Sequence, residues 1–337
     1  MSTAPIPWGI LLFILLILGC VAVVGLMKLY ALIYNFHCSC PVCLAGKTAV
    51  VTGGSQGLGY EIALALASRG CKIIIATRRP NEALREELVR KTHNPNIFLE
   101  YVDLESFKSV RKFAETIKEK EEVIDILIFN AGFGADEDIL TEDGMNYVLQ
   151  TNYFSSFLLV HLLIEPLKRS TSSRILWTSS LLAFTSFLKV EDVTSQTVLK
   201  SHGIITYCYS KLMQIIASDI FAERLKKYGI TSNSWHPFVS KTQIFENSIK
   251  HGDGLLFVLL VKYILPVLAV MFKTAREGAQ TGVHLACSNE VSDITGEFFA
   301  EGARRYKPCG ARDENLCKEV WRLSEEAVKL KPEEIIL

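Results

Sequence analysis

From Gly46 onward, short apolar runs alternate with longer segments in which apolar residues recur every three or four positions. The short runs have the length of β-strands, and the longer segments have the period of amphipathic helices. Runs such as Ile73-Ile74-Ile75 and Ile126-Leu127-Ile128 are apolar at every position, as strands covered on both faces must be. The pattern therefore predicts an α/β fold built on a doubly wound parallel sheet.

The boundaries of these elements follow from where each apolar pattern begins and ends. Strands are expected at residues 48–52, 73–77, 97–102, 125–130, 174–178, 231–236 and 297–300. Helices are expected at residues 57–69, 81–92, 105–120, 143–169, 205–228 and 274–287. Because strands and helices alternate strictly, the helices are expected to cover both faces of one sheet.

A separate apolar block, Trp8–Met27, precedes this pattern and contains no charged residue. About 20 apolar residues are enough for a helix to cross the hydrocarbon core of a membrane. The alternative is a cleaved signal peptide, but no basic residue precedes Trp8 and the apolar run is too long for one. Lys28 and Lys47 follow the block, so the positive-inside rule predicts a retained, single-pass transmembrane helix with the rest of the chain in the cytosol.

A second apolar block, Gly254–Phe272, is interrupted by Lys262 and Pro266. A second membrane span here would leave the last strand on the wrong side of the membrane, so we interpret the block as part of an amphipathic lid over an apolar pocket. The predicted organisation is an anchor and Cys-rich linker at 1–45, a folded domain at 46–330 that carries the lid at 243–272, and a tail at 331–337.

The chain has nine cysteines and zero net charge. The zero charge gives no electrostatic indication of a nucleic-acid partner. His37, Cys38, Cys40 and Cys43 lie together just after the predicted anchor, where a linker with free thiols, acylation and zinc binding are all alternatives. No second cluster in the sequence completes a usual structural zinc site, so no metal site is predicted.

The first strand runs directly into a glycine-rich turn and then into a helical pattern, Thr52-Gly53-Gly54-Ser55-Gln56-Gly57-Leu58-Gly59. Gly53 permits the tight turn, Gly57 lets the backbone approach a pyrophosphate, and Gly59 lets the helix pack closely on the sheet. The free N–H groups at the helix start are suited to bind phosphates. The turn therefore predicts a dinucleotide site formed by Gly53, Ser55, Gln56, Gly57, Leu58 and Gly59.

The ends of the next strands favour one form of the dinucleotide. Arg78 and Arg79 follow the second strand, where an enzyme selecting NAD would place an acidic residue for the ribose 2′-hydroxyl. Two guanidinium groups suit a 2′-phosphate and favour NADP (NADPH) over NAD, although a solvated helix start is the simpler alternative. Asp103 follows the third strand and is expected to accept a hydrogen bond from the adenine amino group. The fourth strand ends in Asn130-Ala131-Gly132, where the cofactor is expected to cross the sheet.

Tyr207 and Lys211 lie four residues apart in a predicted helix and so face the same side. A nearby ammonium group favours the tyrosinate form and lowers the phenol pKa towards working pH. Such a pair is common and usually structural, but behind a glycine-rich nucleotide turn it indicates acid–base chemistry.

The glycine-rich turn, Asn130-Ala131-Gly132, Thr178-Ser179-Ser180 and the Tyr207 and Lys211 pair together resemble the short-chain dehydrogenase/reductase family, from about Gly46 to about Val328. The segment Lys273–Thr281, the His236-Pro237 turn and the apolar N-terminus resemble more narrowly its microsomal retinol dehydrogenase branch, to which polyprenol dehydrogenase is related. The resemblance implies a Rossmann fold and an endoplasmic reticulum membrane protein with its catalytic domain in the cytosol.

The resemblance also implies a role for each motif residue. Tyr207 would be the general acid/base, Lys211 would lower its pKa and bind the nicotinamide ribose, and Ser180 would orient the substrate oxygen. Asn152 would hold a water in a proton relay, and Thr242 would contact the nicotinamide. Phe238 departs from the family, which usually has Gly after the proline of the turn, and this departure affects the substrate pocket more than the reaction class.

The implied function is interconversion of an alcohol and a carbonyl on a lipophilic small molecule of the retinoid, steroid or prenol class. The implied partners are this substrate and the bilayer, with a homodimer as the candidate assembly. The alternative is a catalytically silent nucleotide-binding scaffold in the membrane. Loss of Tyr207, Lys211 or Ser180 would have favoured the scaffold, and all three residues are present.

Overall fold

The alternating apolar runs form a single mixed sheet with helices on both faces. A computed structural model of the chain describes residues 35–134, 139–194, 203–238 and 273–336, together with six positions between residues 19 and 29. The predicted anchor lies largely outside these residues, and the predicted lid and Thr242 lie wholly outside them. Within the described part of the chain, no helix has the length and apolar character needed to span a membrane.

The sheet has eight strands among the described residues, in the order β3-β2-β1-β4-β5-β6-β7-β8. Strands β1 to β7 run parallel, and β8 pairs antiparallel with β7 at one edge. The strand order reverses between β1 and β4, and at such a point the carboxyl ends of parallel strands open a crevice for ligands. The strands are β1 Thr48–Thr52, β2 Lys72–Thr77, β3 Ile97–Tyr101, β4 Ile126–Phe129, β5 Arg174–Thr178, β6 Thr231–Trp235, β7 Phe298–Ala300 and β8 Ala303–Arg305.

Helices lie between the strands, as the apolar periodicity predicts, and one further helix follows the last strand. They are α1 Gly57–Ala67, α2 Glu82–Thr92, α3 Phe107–Lys120, α4 (Tyr147–Leu149, a π-helical turn at Gln150–Phe154, then Ser155–Leu162), α5 Ile164–Lys168, α6 Gly203–Leu225, α7 Ala275–Gly278, α8 Gln280–Cys287 and α9 Glu314–Ala327. The predicted doubly wound α/β class is confirmed.

Successive residues of the central strands enter opposite hydrophobic cores. Val50 and Ile74 lie in one buried cluster, which includes the inner faces of α4 and α6. Val51 and Ile75 lie in the other, which includes the inner faces of α1 and α8. The apolar character of both faces of these strands therefore has the predicted cause, burial of the sheet on both sides.

Three features depart from the sequence prediction. The helix predicted at 143–169 starts at Tyr147, contains a π-helical turn and breaks at Leu163, so it forms two helices rather than one. Strand β8 was not predicted because its three residues are exposed and include two arginines. Helix α9 was also not predicted, although it buries Leu316, Val320 and Trp321 along one face.

Candidate active site

The glycine-rich turn connects β1 to α1 at the crevice. Gly53 adopts φ +65°, and a Cβ on it would come within 2.8 Å of Cα of Ala131, so the turn requires glycine at this position. A Cβ on Gly59 would collide with the carbonyl oxygen of Gly53 and with the side chain of Asn130. The side chain of Asn130 donates a hydrogen bond from Nδ2 to that carbonyl at 3.2 Å. Asn130 thus holds the turn against the end of β4, and the lack of a side chain at Gly59 leaves room for this contact.

The start of α1 is suited to a phosphate group. Gln56 precedes the helix with extended backbone and makes no side-chain cap, so the first N–H groups of α1 keep their capacity to donate. Gly57 has open space where a Cβ would point, and Gln56 and Gly57 are exposed while Ser55 is partly exposed. Leu58 is buried and fixes the helix on the sheet. This cradle fits the pyrophosphate of a dinucleotide.

The adenosine end of the crevice is charged. Arg78 and Arg79 are both exposed after β2, and the Arg78 guanidinium forms an ion pair with Glu105. Asp103 is partly exposed and accepts a hydrogen bond from the backbone N–H of Glu105 through Oδ1, at 3.0 Å. The sequence analysis did not identify Glu105, which lies 27 residues beyond Arg78 and would compete with a 2′-phosphate for its guanidinium.

Tyr207, Ser180 and Lys211 meet at the carboxyl end of β5. The Ser180 hydroxyl hydrogen-bonds to the Tyr207 phenol, and the Lys211 ammonium lies 5.5 Å from the centroid of the Tyr207 ring. Ser180 and Tyr207 are partly exposed, whereas Lys211 is 3 % exposed. The neighbouring Ser179 donates from Oγ to the backbone carbonyl of Lys211 at 2.7 Å and thereby ties α6 to β5. The fold thus brings the predicted catalytic residues together.

Burial dominates the ionisation of this group. It raises the pKa of Tyr207 to about 12, although the hydrogen bond from Ser180 acts in the opposite direction. It lowers the pKa of the Lys211 ammonium to about 7. The Tyr–Lys spacing suggests a lowered phenol pKa, but in the protein alone the pKa is raised instead. In this state the phenol is protonated at neutral pH.

Asn152 lies in the π-helical turn of α4, a local irregularity that often marks functional sites. Its side-chain amide is held by the backbone of Phe133 at 2.9 and 3.0 Å and by Oγ of Ser210 at 3.1 Å. Its backbone carbonyl accepts a hydrogen bond from Nε2 of Gln214 at 2.7 Å, and Oε1 of Gln214 accepts one from Nζ of Lys211 at 3.1 Å. Gln214 therefore links Asn152 to Lys211 within the protein.

Gln214 and Ser210 were missed by the sequence analysis. Gln214 follows Lys211 by three residues and so lies on the same face of α6, a spacing that was available as a signal. Gln214 is fully buried, and a buried polar side chain needs hydrogen-bond partners. The sequence alone does not show this burial.

Gly132 brings the end of β4 against the same group. A Cβ on Gly132 would lie 3.1 Å from Nζ of Lys211 and 3.3 Å from Oδ1 of Asn152. Ala131 donates its backbone N–H to Oγ1 of Thr52 at 3.2 Å. The Asn130-Ala131-Gly132 segment thus lies between the glycine-rich turn and the Lys211 side chain.

Phe238, the departure from the family pattern, has a backbone conformation that glycine adopts more readily than other residues. Its φ is +60°, in the left-handed region that bulky residues rarely adopt. Its backbone N–H donates to Nδ1 of His236 at 3.1 Å, and its ring is 41 % exposed. The side chain therefore adds an exposed aromatic surface beyond the end of β6.

Comparisons with known proteins agree with this geometry. Residues 47–252 match the family model of the short chain dehydrogenases. Human retinol dehydrogenase 13 is 34 % identical over 297 residues, covering 87 % of this chain and 88 % of that protein. Human retinol dehydrogenase 12 is 33 % identical over 296 residues, covering 87 % and 90 %.

Solved structures show the same fold. An uncharacterized protein from Mycobacterium paratuberculosis superposes with a TM-score of 0.67 at 24 % identity, covering 86 % of this chain and 96 % of that one. Levodione reductase superposes with a TM-score of 0.62 at 19 % identity, covering 76 % and 95 %.

The fold, the nucleotide cradle and these matches define a class, and the chain belongs to the short chain dehydrogenase family. Within that family it is related to the retinol dehydrogenases. It is an oxidoreductase, an NAD(P)-dependent dehydrogenase that acts on CH–OH groups.

Proposed function

We propose that this enzyme is membrane-anchored, uses NADP(H), and interconverts an alcohol and a carbonyl on a lipophilic substrate of the retinoid, steroid or prenol class. The observation that carries the proposal is the contact of Ser180 with Tyr207 beside buried Lys211, at the mouth of a crevice with an apolar rim. The retinol dehydrogenase names of the relatives support the substrate class.

The rim is formed by exposed apolar side chains on the two segments that carry Ser180 and Tyr207. The 3₁₀ turn after Ser180 and the loop beyond it contribute Leu181, Leu182, Phe184 and Phe187, and the first turn of α6 contributes Ile204 and Ile205. Phe187 is 84 % exposed. Apolar surface of this kind beside catalytic groups supports a lipophilic substrate.

In the reaction, the bound nicotinamide supplies or accepts the hydride. The Ser180 hydroxyl and the Tyr207 phenol, already hydrogen-bonded to each other, are placed to hold the substrate oxygen between them. Tyr207 donates its proton to that oxygen as negative charge develops there during carbonyl reduction. Because the phenol is protonated at neutral pH, this state of the site is prepared for reduction.

Lys211 has two parts in this proposal. Its ammonium group is held by the backbone carbonyl of Thr178 at 2.8 Å and by Oε1 of Gln214. From this position the positive charge stabilises the developing tyrosinate of Tyr207, and the group is also available to a ribose hydroxyl of the cofactor. Asn152 acts as a positioning residue. Its backbone carbonyl accepts a hydrogen bond from Gln214, and its side chain accepts one from the backbone N–H of Phe133.

Membrane attachment is supported by the sequence of Trp8–Met27 and by three exposed apolar residues on helical turns, Val23, Leu26 and Leu29. We propose a single-pass protein of the endoplasmic reticulum with the catalytic domain in the cytosol. Protease added to sealed microsomes should digest the catalytic domain, and protection of that domain would contradict the orientation. Light scattering of the detergent-purified protein tests the homodimer.

The activity test uses membranes from cells that express the full chain, with NADPH or NADP and a panel of retinoids, steroids, prenols and their aldehydes or ketones. Tyr207→Phe keeps the ring and its packing but removes the transferable proton, so turnover should fall by roughly 10²–10⁴-fold. Tyr209→Phe is the matched control, because Tyr209 is buried in the hydrophobic core two residues away. Wild-type membranes without activity on the whole panel would favour the silent scaffold.

A further inference from the structure

Three cysteines that are far apart in the sequence meet at the end of α8. Sγ of Cys40 lies 3.0 Å from Sγ of Cys38 and 3.0 Å from Sγ of Cys287, the last residue of that helix. All three sulfur atoms lie within 4.8 Å of one another. Cys38 and Cys287 are buried and Cys40 is partly exposed, so one side of the cluster faces solvent.

The cluster is held in place by contacts that do not involve sulfur. The backbone N–H of Cys38 donates to Oε1 of Gln280 at 3.1 Å, and Nδ2 of Asn35 donates to Oε1 of Glu277 at 3.0 Å. The ring of Phe36 packs edge-on against His284 with centroids 5.2 Å apart. Residues 35–40, which the sequence analysis assigned to a linker, are therefore fastened to α7 and α8, and the three thiols are preorganised.

Two arginine side chains interact with the sulfur atoms of this cluster. Burial opposes ionisation of Cys40, but hydrogen bonds from the Cys287 and Cys38 thiols and the guanidinium of Arg69 outweigh it and hold the pKa of Cys40 below its usual value. Burial raises the pKa of Cys38 and of Cys287. Arg174, a buried guanidinium, also interacts with Cys40 and Cys287. Two cationic side chains thus interact with a group of thiols of which Cys40 ionises most readily.

We propose that Cys38, Cys40 and Cys287 form a three-thiolate site for a soft divalent cation of the zinc type, with the fourth coordination position open to solvent beside Cys40. Binding would form three sulfur–metal bonds and release to solvent the protons of those cysteines that are still thiols. The resulting group would carry one net negative charge, which Arg69 and Arg174 would offset. Sulfur atoms sharing a tetrahedral zinc at about 2.3 Å lie roughly 3.8 Å apart, so small side-chain rotations would complete the site.

The sequence alone did not predict this site because Cys287 lies 247 residues beyond Cys40. Cys43, in the same N-terminal segment, is exposed and is not part of the cluster. A bound ion would cross-link residues 38–40 to α8 and so fix the segment that leads from the predicted anchor to the catalytic domain.

The test measures zinc retained by the full-length protein, purified in detergent under reducing conditions, incubated with Zn²⁺ and desalted. Elemental analysis should find about one zinc per chain in the wild type. Cys43→Ser is the matched control and should keep this content, whereas Cys40→Ser and Cys287→Ser should each lose at least roughly nine-tenths of it. Substitution with Co²⁺ should give the sulfur-to-cobalt charge-transfer absorption of thiolate ligands in the wild type and in Cys43→Ser only.

Cooperative thermal unfolding in EDTA establishes that each variant is folded. If Cys287→Ser is not folded, the partly exposed Cys40→Ser decides the comparison. Zinc content that is unchanged in a folded Cys40→Ser variant, or absent from the reduced wild type, would overturn the proposal. The proposal would also be overturned if the protein isolated from cells contains a Cys40–Cys287 disulfide and does not bind zinc after that disulfide is reduced.

Discussion

Nζ of Lys211 donates a hydrogen bond to Oε1 of Gln214 at 3.1 Å, and the other end of the Gln214 amide donates to the backbone of Asn152 at 2.7 Å. All three residues are buried. The ammonium group that supports Tyr207 is therefore positioned by a protein side chain rather than by solvent alone, and this arrangement leads to the first prediction.

Gln214→Met keeps the length of the side chain but removes both polar ends. Lys211 would lose a buried acceptor, which typically costs about 1–3 kcal/mol, so we expect kcat to fall by roughly tenfold or more while the KM for substrate changes little. Gln214→Glu would place a carboxylate beside the ammonium and raise the Lys211 pKa from about 7. Its pH–rate profile should shift, and identical profiles for wild type and Gln214→Glu would argue against coupling of the two groups.

The second prediction concerns cofactor choice. If Arg78 and Arg79 bind the 2′-phosphate, replacing both with Ala should weaken NADPH binding much more than NADH binding, by about 1.5–3 kcal/mol for each charge-assisted hydrogen bond lost. Glu105 pairs with Arg78 in the protein alone, so Glu105→Gln should free the guanidinium and strengthen NADPH binding. Titration of both cofactors by fluorescence measures this, and equal losses for NADH and NADPH would exclude the assignment.

The sheet and the main site motifs could be predicted because their signals are local. Apolar strands, the glycine-rich turn and the Tyr207 and Lys211 spacing each depend on neighbouring residues, and the structure places them as expected. The π-helical turn around Asn152 and the break at Leu163 have no such signal, since a helix and its irregular turns share one apolar period.

Other features could not be predicted because they depend on contacts between distant parts of the chain. Arg78 pairs with Glu105, and Cys40 contacts Cys287. Only the folded topology brings the two residues of each pair together. The pKa of Tyr207 is a similar case. Sequence spacing shows that a lysine is near, but it does not show that desolvation raises the pKa of the phenol.

The third prediction concerns the apolar rim. Phe187 is 84 % exposed, so Phe187→Ser should leave folding and NADPH binding unchanged. If a long lipophilic substrate lies across this surface, its KM should rise several-fold, with little change for a short substrate. Val190→Ser changes a less exposed apolar position on the same connection, and its KM values are compared with those of Phe187→Ser. Steady-state kinetics with two substrates of different chain length measure the effect, and equal KM changes for both would place the substrate elsewhere.

The last prediction concerns His161, which lies in the hydrophobic core far along α4 from the catalytic turn. Its ring packs against Phe157, Phe221 and Trp321, and Nδ1 is 2.9 Å from the backbone carbonyl of Glu334, to which the neutral ring can donate. Nε2 is buried without a hydrogen-bond partner among the described residues. Burial lowers the pKa of His161 to about 4, so the folded protein keeps the ring neutral where an unfolded chain would protonate it.

The sign of the effect follows from proton counting. Between the unfolded pKa of about 6.5 and the folded pKa of about 4, the unfolded state binds more protons, so stability falls as pH falls through this window. The loss from this one group should approach the order of 3 kcal/mol at the acid end. The Phe side chain of His161→Phe cannot titrate, so the free energy of unfolding of this variant should depend less steeply on pH than that of the wild type. Loss of the hydrogen bond to Glu334 should also lower its stability at neutral pH by about 1 kcal/mol.

Urea unfolding of the detergent-purified protein, followed by tryptophan fluorescence from pH 7 to pH 4.5, measures this difference. His93→Asn is the control, because His93 is exposed and its left-handed backbone, with φ 55°, suits asparagine. The control should parallel the wild type at every pH. A His161→Phe variant that also parallels the wild type would show that His161 does not set the acid sensitivity, and the buried His236, whose pKa burial likewise lowers to about 4, would be the next residue to replace.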